Sequence, residues 1–369
     1  MLGAVLDCVD AAVVACDVAG RVTHANRRAR ELMGDEDPLG LQPSEWVARL
    51  RPRNHDGVLL SADELPLVRA VRGETVTDMD IHVRSQRGER VLSTSANPLE
   101  DQRGRRLGAV VVFADVTEQR QREAQTRAEL RDVALVSEMD DALNSGQVSL
   151  YAQPIVDLDS RATVLEELLL RVHGADGAVK GPLPFLAAAE RYGTITSLDM
   201  WVLGRAVHNA AASRPVAINV SAMTIGRSYF LETVEYLLER DSLDPALLTF
   251  EITESAVVSD IVQAARFAER LHDIGCNFAL DDFGTGYAAL TYLKNLPIQY
   301  LKIDRDFVRD LPDNQRSKAV VAGIVSLASG FGQRTIAEGV ENEPTLEALR
   351  QLGVHMAQGF HLGGPAPVE

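Results

Sequence analysis

The sequence predicts an α+β module followed by an α/β barrel of (β/α)8 type, and three observations predict it. Residues 1–118 break into short β-rich runs and brief helical stretches separated by glycine-containing turns. From about residue 148 onward, β-rich runs alternate with helical patterns, which implies a parallel sheet, either doubly wound or closed. Seven apolar runs in that half end on, or carry near their end, a polar residue suited to metal or phosphate. These are Glu167, Asn219, Glu251, the pair Asp281 and Asp282, Lys302, Glu338 and Gln358. A buried unpaired carboxylate is costly, so acids recurring on successive strands imply one shared site, most simply a metal centre. Functional side chains gather at the C-terminal ends of barrel strands, which favours the closed form.

Composition narrows the partners. Hydrophobic residues make up 46% and charged residues 24%, the balance of an ordinary globular chain long enough for two or three cores. The formal net charge of −16 argues against a nucleic-acid polymer or an anionic membrane bound through a basic face. Residues 1–118 hold 15 basic against 19 acidic side chains, so most of the excess lies in the remainder. An acidic domain of that kind would need divalent metal to accept a phosphodiester. Cys8, Cys16 and Cys276 show no paired spacing, which fits buried thiols in a reducing compartment. Asp7, Asp10 and Asp17 interrupt the first apolar stretch, and no run nears ~20 apolar residues. Neither a secretory leader nor a membrane span is expected, and the location reads as cytoplasmic.

Within residues 1–118, AVVACDVAGRVTHAN reads as two strands about an Ala-Gly turn. RRARELMG reads as a short helix stopped by Gly34. SADELPLVRAVRGE offers Ser61 as N-cap and Gly73 as the stop of a second helix. Three strands follow, TVTDMDIHVRS, ERVLSTSANPL and LGAVVVFADVT, turning at Gly88 and Gly104. The long intervening segment DPLGLQPSEWVARLRPRNHDG reads as a loop over the surface or over a pocket. This succession resembles a PAS domain, down to S-A-N-P-L and the closing F-A-D-V-T-E. The resemblance implies a sensor with no ligand, or with an unidentified small molecule. No cysteine stands in a flavin-adduct context and no histidine on the SADELPLVRAVRGE helix.

Residues 119–147 read as a helical connector. Leu130, Val133 and Ala134 form one stripe, suited to a paired coil or to a solvated face, while Val136, Met139 and Leu143 form another, suited to docking on the next domain. Beyond it, SLDMWVLGRAVHNAAAS, SDIVQAARFAERLHDIG, SKAVVAGIVSLASGFG and PTLEALRQLG carry helical periodicity.

Eight blocks then appear in order: Q-P-I at 153–155, E-L-L-L-R at 167–171, N-V-S at 219–221, E-I-T-E-S at 251–255, D-D-F-G-T-G-Y at 281–287, L-K-I-D at 301–304, A-E-G-V-E at 337–341 and Q-G-F at 358–360. Residues 148–369 on these blocks resemble the EAL-domain phosphodiesterases, which hydrolyse cyclic di-GMP. The resemblance implies that Glu167, Asn219, Glu251 and Asp281 hold one ion, with Asp281 bridging to a second near Asp282 and Glu338. Oxygen-only ligands suit Mg²⁺ or Mn²⁺ rather than Zn²⁺. Lys302 and Glu338 would act in catalysis, with Glu254 anchoring the loop whose Gly284 and Gly286 permit tight turns. Gln153, Leu169, Arg171, Asp304 and Gln358 would meet substrate or its ordered water.

Several positions depart from the family pattern. Leu168 stands for alanine, Ala152 for an aromatic before Q-P, and Val172 for tryptophan. Ala288 and Ala289 stand for serines, and Gly364 for arginine. Leu168 is expected to crowd the metal floor, at about 1–3 kcal/mol or a small backbone shift. The alanines are expected to weaken the loop, which allows for reduced turnover. The expected whole is a cytoplasmic homodimer, joined through the PAS, connector and barrel parts, that hydrolyses cyclic di-GMP to linear pGpG under PAS control. The alternative is a weakly active or non-catalytic cyclic di-GMP receptor.

Overall fold

Strand alternation organises the first part of the chain. The computed structural model describes residues 7, 11–33, 38–85, 88–174, 178–210, 214–284 and 296–368, which fall into two units, Met1–Leu130 and Arg131–Glu369. In the first unit β1 (Ala12–Cys16), β2 (Val22–Ala25), β3 (Val76–Ser85), β4 (Gly88–Glu100) and β5 (Arg106–Asp115) form an antiparallel sheet in the order β2-β1-β5-β4-β3. Along β5, Ala109, Val111 and Phe113 are buried while Val112 and Ala114 are exposed, so one face is covered. Helices Arg27–Met33, Pro43–Leu50 and Pro66–Val71 supply Ala29, Trp46, Leu67 and Ala70 to that core. Pro98 lies beyond the last pairing with β3, at Ala96, where β4 is an edge.

Two local readings are corrected here. The segment read as a long loop contains the helix Pro43–Leu50, because Gln42 and Glu45 form a capping box, Pro43 presets the first turn and Trp46 packs 6.4 Å from Phe113. Ser61 caps a short 3-10 turn, Ala62–Glu64, and the helix proper starts at Pro66, whose missing N–H suits a first turn. Gly34, Cys8 and the loop residues Gly286, Ala288 and Ala289 lie outside the described residues. A single helix, Thr117–Ser145, links the two units in sequence. Its Met139 and Ala142 are buried in the second unit's core and Leu143 packs against it.

In the second unit β6 (Val148–Asp157), β7 (Thr163–His173), β9 (Val216–Asn219), β10 (Leu248–Thr253), β11 (Asn277–Phe283), β12 (Tyr300–Ile303), β13 (Arg334–Ala337) and β14 (Met356–Ala357) close into an eight-stranded barrel. Short strands β8 (Val179–Lys180) and β15 (Ala366–Pro367) extend it beside β7 and β6. The barrel differs from an all-parallel one in its first strand, since β6 runs antiparallel to both β7 and β14. Only residues 158–162 join β6 to β7. A parallel crossover needs a dozen residues or more, so that connection dictates a hairpin. Asp157 builds the turn by accepting from Ser160 N and Oγ, both at 2.9 Å.

Two cores hold the strands. Ile155, Leu165, Ala217, Ile336 and Met356 fill the barrel interior, with Tyr300 against them. A larger cluster lies between strands and helices, where Phe230, Phe250 and Phe267 meet at centroid distances of 6.1–6.4 Å. One close approach fixes the top of the barrel. Val340 N donates to Gln358 O at 3.0 Å and His361 N to Val340 O at 3.1 Å. A Cβ on Gly359 would stand 2.1 Å from the Val340 carbonyl oxygen. Gly359→Ala should therefore cost about 3 kcal/mol or more, read as a lowered Tm. Gly181→Ala, where no atom lies within 4 Å of the added carbon, should be nearly neutral.

Candidate metal centre

Alternation along β6 and β7 decides which side chains reach the barrel mouth. Ile155 and Leu165 belong to the interior core, so Gln153 and Tyr151 on β6, and Glu167, Leu169 and Arg171 on β7, share that face at successive heights. The opposite parity, Leu150, Leu168, Leu170 and Val172, faces the helices and is buried there. Leu168 therefore does not crowd the metal floor, and the expected overpacking is corrected. Ala152 also packs toward the helix side. Tyr151, which sequence reasoning passed over, lies beneath Arg171, whose guanidinium carbon is 5.5 Å from the ring centroid. Its position two residues before Gln153 was the available signal.

Glu167 lies mid-strand in β7 rather than at its end, because β7 outruns its parallel pairing with β9, which stops at Leu168. Asn219 ends β9, Glu251 lies within β10 opposite it, Lys302 lies within β12, and Glu338 and Gln358 directly follow β13 and β14. Consecutive strand residues normally face opposite ways, yet Asp281 and Asp282 serve one site. The pairing of β11 with β12 slips between Leu280 and Phe283, and Asp282 takes a left-handed φ of 56°. One ligand oxygen each from Asp281, Asp282 and Glu338 then lie within 4.8 Å of one another.

Lys302 stands at the centre, 1% exposed. Its Nζ is 2.6 Å from Glu251 Oε2, 2.6 Å from Glu338 Oε1, 3.1 Å from Asp281 Oδ1 and 3.5 Å from Glu167 Oε2. Around this cluster runs a chain of carboxamides. Asn219 Nδ2 donates to Glu167 Oε1 at 2.8 Å, leaving its own oxygen available. Gln358 Nε2 donates to Glu167 Oε2 at 2.8 Å and Gln153 Oε1 at 3.0 Å. Gln153 in turn donates to Gly363 O at 3.1 Å. Glu254, buried, accepts from Gly284 N at 2.9 Å. Gly284 is required there, because its φ is 106° and a Cβ would stand 2.8 Å from Phe307. Asp304 accepts from Asp306 N at 2.7 Å as a helix cap and shares a side-chain hydrogen bond with Asp282.

The electrostatics follow from burial and crowding. Burial lifts the Glu251 carboxyl well above its usual range; Lys302 opposes this, while Glu167 and Asp281 add to it. Glu338 is pushed up to about 7 by burial, with Lys302 opposing and Asp281 and Glu167 adding. Asp282 rises to about 6 through burial, then Asp281 and Asp304. Burial pulls Lys302 down, but Glu167, Glu251, Glu338 and Asp281 outweigh it, so the ammonium keeps its proton. Five carboxylates thus face one cation, and the buried oxygens Glu251 Oε1 and Gln358 Oε1 have no hydrogen-bond partner among the described residues. Surplus negative charge and free oxygen donors without sulfur or imidazole fit a hard divalent cation.

Comparison with known proteins agrees with this geometry. A family model described as EAL domain matches residues 136–365, and one described as PAS fold matches residues 6–121. Cyclic di-GMP phosphodiesterase NbdA of Pseudomonas aeruginosa is 36% identical over 246 residues, which cover 64% of this chain and 31% of that protein. Cyclic di-GMP phosphodiesterase PdeF of Escherichia coli is 35% identical over 267 residues, covering 70% and 36%. The matched segment thus spans about a third of the length of these curated relatives. Among solved structures, a PaMucR phosphodiesterase in complex with c-di-GMP superposes with a TM-score of 0.61 at 35% identity, covering 64% of this chain and 98% of that one. The FimX EAL domain from Pseudomonas aeruginosa bound to c-di-GMP gives 0.60 at 27%, covering 63% and 96%. With the ordered motifs, the barrel and a model match over more than half its length, this chain belongs to the EAL domain family and carries a PAS fold ahead of that domain.

Proposed function

We propose that this chain hydrolyses cyclic di-GMP to linear pGpG with Mg²⁺ or Mn²⁺, two ions per site. The observation that carries the reading is the cluster of five carboxylates around buried Lys302, with buried oxygens left unpartnered among the described residues. Relatives named for this activity support the substrate. Glu167, Asn219, Glu251 and Asp281 would hold one ion, and Asp281, Asp282 and Glu338 the other. Bound there, divalent metal would polarise the phosphodiester and supply a water acidic enough to attack at neutral pH.

The chain's own residues set up that attack. Lys302, protonated and fixed between Glu251 and Glu338, serves as positive charge beside the reacting phosphoryl group rather than as a base. Gln358 holds Glu167 in place and Gln153 holds Gln358, so one ligand is fixed from two strands. Glu254 secures the backbone after Asp282 through Gly284. Arg171, stacked over Tyr151 at the mouth, offers a guanidinium to a phosphate, with Leu169 beside it on the same face. Asp304 braces Asp282.

The test is cyclic di-GMP incubated with the purified chain, products being separated by chromatography. Turnover to pGpG should vanish in EDTA and return with Mg²⁺ or Mn²⁺ but scarcely with Ca²⁺. Glu167→Ala, Asn219→Ala and Asp281→Ala should each lose about 100-fold or more with the fold intact, and pairs should lose little beyond singles. Hydrolysis by thoroughly demetallated protein would sink the metal assignment, and tight binding without turnover would select a receptor.

A second outcome concerns pH. In metal-free protein Glu338 sits at about 7 and Asp282 at about 6, above their values in an unfolded chain. Groups raised on folding stabilise the fold at low pH and lose that contribution as pH rises through their folded values. Tm in EDTA should therefore fall between about pH 5 and about pH 8. Mn²⁺, competing with those protons, should raise Tm more at the higher pH. A metal-induced shift independent of pH would count against these two carboxyls as ligands.

Control by the PAS part belongs to the same reading, with the chain a cytoplasmic homodimer. It is supported by Leu130 and Val133, exposed by 67% and 50%, one turn apart on the helix Thr117–Ser145. No helix among the described residues is long and apolar enough to cross a membrane. A shortened chain starting at Arg131 should differ from the full chain in mass in solution and in specific activity. Equal values for both would make the PAS part a bystander.

A further inference from the structure

We propose that Asp199 is a positioning residue that holds Asn219 at the barrel mouth. The inference rests on the reading of the site as a metal-dependent centre with Asn219 among its ligands. Asp199 lies on the helix Ile195–Ala210, in the row Ile195, Leu198, Val202, Ala206 that packs into the core. An apolar residue would fit there, yet the position holds a carboxylate only 7% exposed. No lysine or arginine pairs with it among the described residues. Its oxygen Oδ2 accepts two bonds from one residue, Ser221 N at 3.1 Å and Ser221 Oγ at 2.8 Å.

That residue sits two positions after Asn219. Ser221 also caps the short helix Ala222–Ile225, its hydroxyl oxygen accepting from Thr224 N at 3.3 Å. Thr224 reaches back to Thr196 on the same helix as Asp199, at 3.2 Å. On the other side, Val220 N donates to Glu251 O at 2.9 Å. The three residues Asn219, Val220 and Ser221 are thereby clamped between β10 and a buried carboxylate. Asn219 Nδ2 can then stay on Glu167 while its oxygen faces the site. Burial raises the Asp199 carboxyl and bonds from Thr224 and Ser221 oppose this, the balance of a group retained at some cost.

The test uses the full chain with Asp199→Ala, Asp199→Asn and Ser221→Ala. Mn²⁺ affinity is measured by titration calorimetry, kcat and KM with cyclic di-GMP, and folding by Tm and circular dichroism. Asp199→Ala should weaken Mn²⁺ binding about 10-fold and lower kcat, with KM little changed. Asp199→Asn keeps an oxygen acceptor for both Ser221 bonds and should restore most of the affinity. Ser221→Ala should show part of the loss and add little on top of Asp199→Ala. Wild-type Mn²⁺ affinity and kcat in folded Asp199→Ala would overturn the inference. So would an Asp199→Asn variant as defective as the alanine. Should Asp199→Ala fail to fold, undiminished Mn²⁺ affinity in Ser221→Ala would overturn it instead. A wild-type chain that binds Mn²⁺ without hydrolysing cyclic di-GMP removes the proposed activity while the calorimetric comparison still decides the role of Asp199.

Discussion

Lys302 is the interaction on which the barrel mouth depends. Five carboxylates directed at one mouth repel one another, and burial deepens the penalty because little water screens them. One ammonium, 2.6 Å from both Glu251 and Glu338, lets the strands converge. It does not neutralise the cluster. Burial first, and the neighbouring carboxylates after it, push Glu338 and Asp282 up to about 7 and about 6, so protons relieve part of the remaining charge. On the proposed reading, a divalent cation bound there would displace those protons.

Holding the ligands apart from collapse falls to backbone devices. The slip in β11 and the left-handed Asp282 turn two neighbouring acids toward one point. Gly359 lets the 358–361 turn press on Val340, so that Gln358 and Glu338 are set against a common segment. Glu254, at the start of the helix that follows β10, fixes Gly284. Each device ties a segment bearing one of the clustered polar residues to a neighbouring element, so displacement of one strains two segments of the barrel.

Much of this was legible in the sequence, for a physical reason. Acids that end apolar runs must share charge with something, and a run of them on alternating elements has few geometries available. That logic named Glu167, Asn219, Glu251, Asp281, Asp282, Lys302, Glu338 and Gln358, which the strands bring together. What it missed depended on register or on distant partners. The antiparallel β6 was encoded in the five-residue link to β7, but its apolar pattern resembles that of the parallel strands. The direction of Leu168 required knowing that Glu167 faces inward, after which alternation sends its neighbour to the helix side. The helix at Pro43–Leu50 was hidden by surrounding proline and glycine, though Gln42 and Glu45 marked its start. Asp199 interrupts a helical apolar row, and its partner Ser221 lies on another element, so no local pattern pairs them.

The choice of lysine at the centre follows from the same geometry. The chain uses four lysines and 33 arginines, so a lysine here runs against its own composition. A guanidinium is planar and pairs best with one carboxylate edge to edge. The oxygens around Lys302 come from four strands or strand ends and stand at 2.6–3.5 Å from a single nitrogen. A compact ammonium can answer all of them, whereas a planar fork would satisfy one or two and force the rest outward. It also leaves Glu251 Oε1 without a hydrogen-bond partner among the described residues, an oxygen that a metal ion could take.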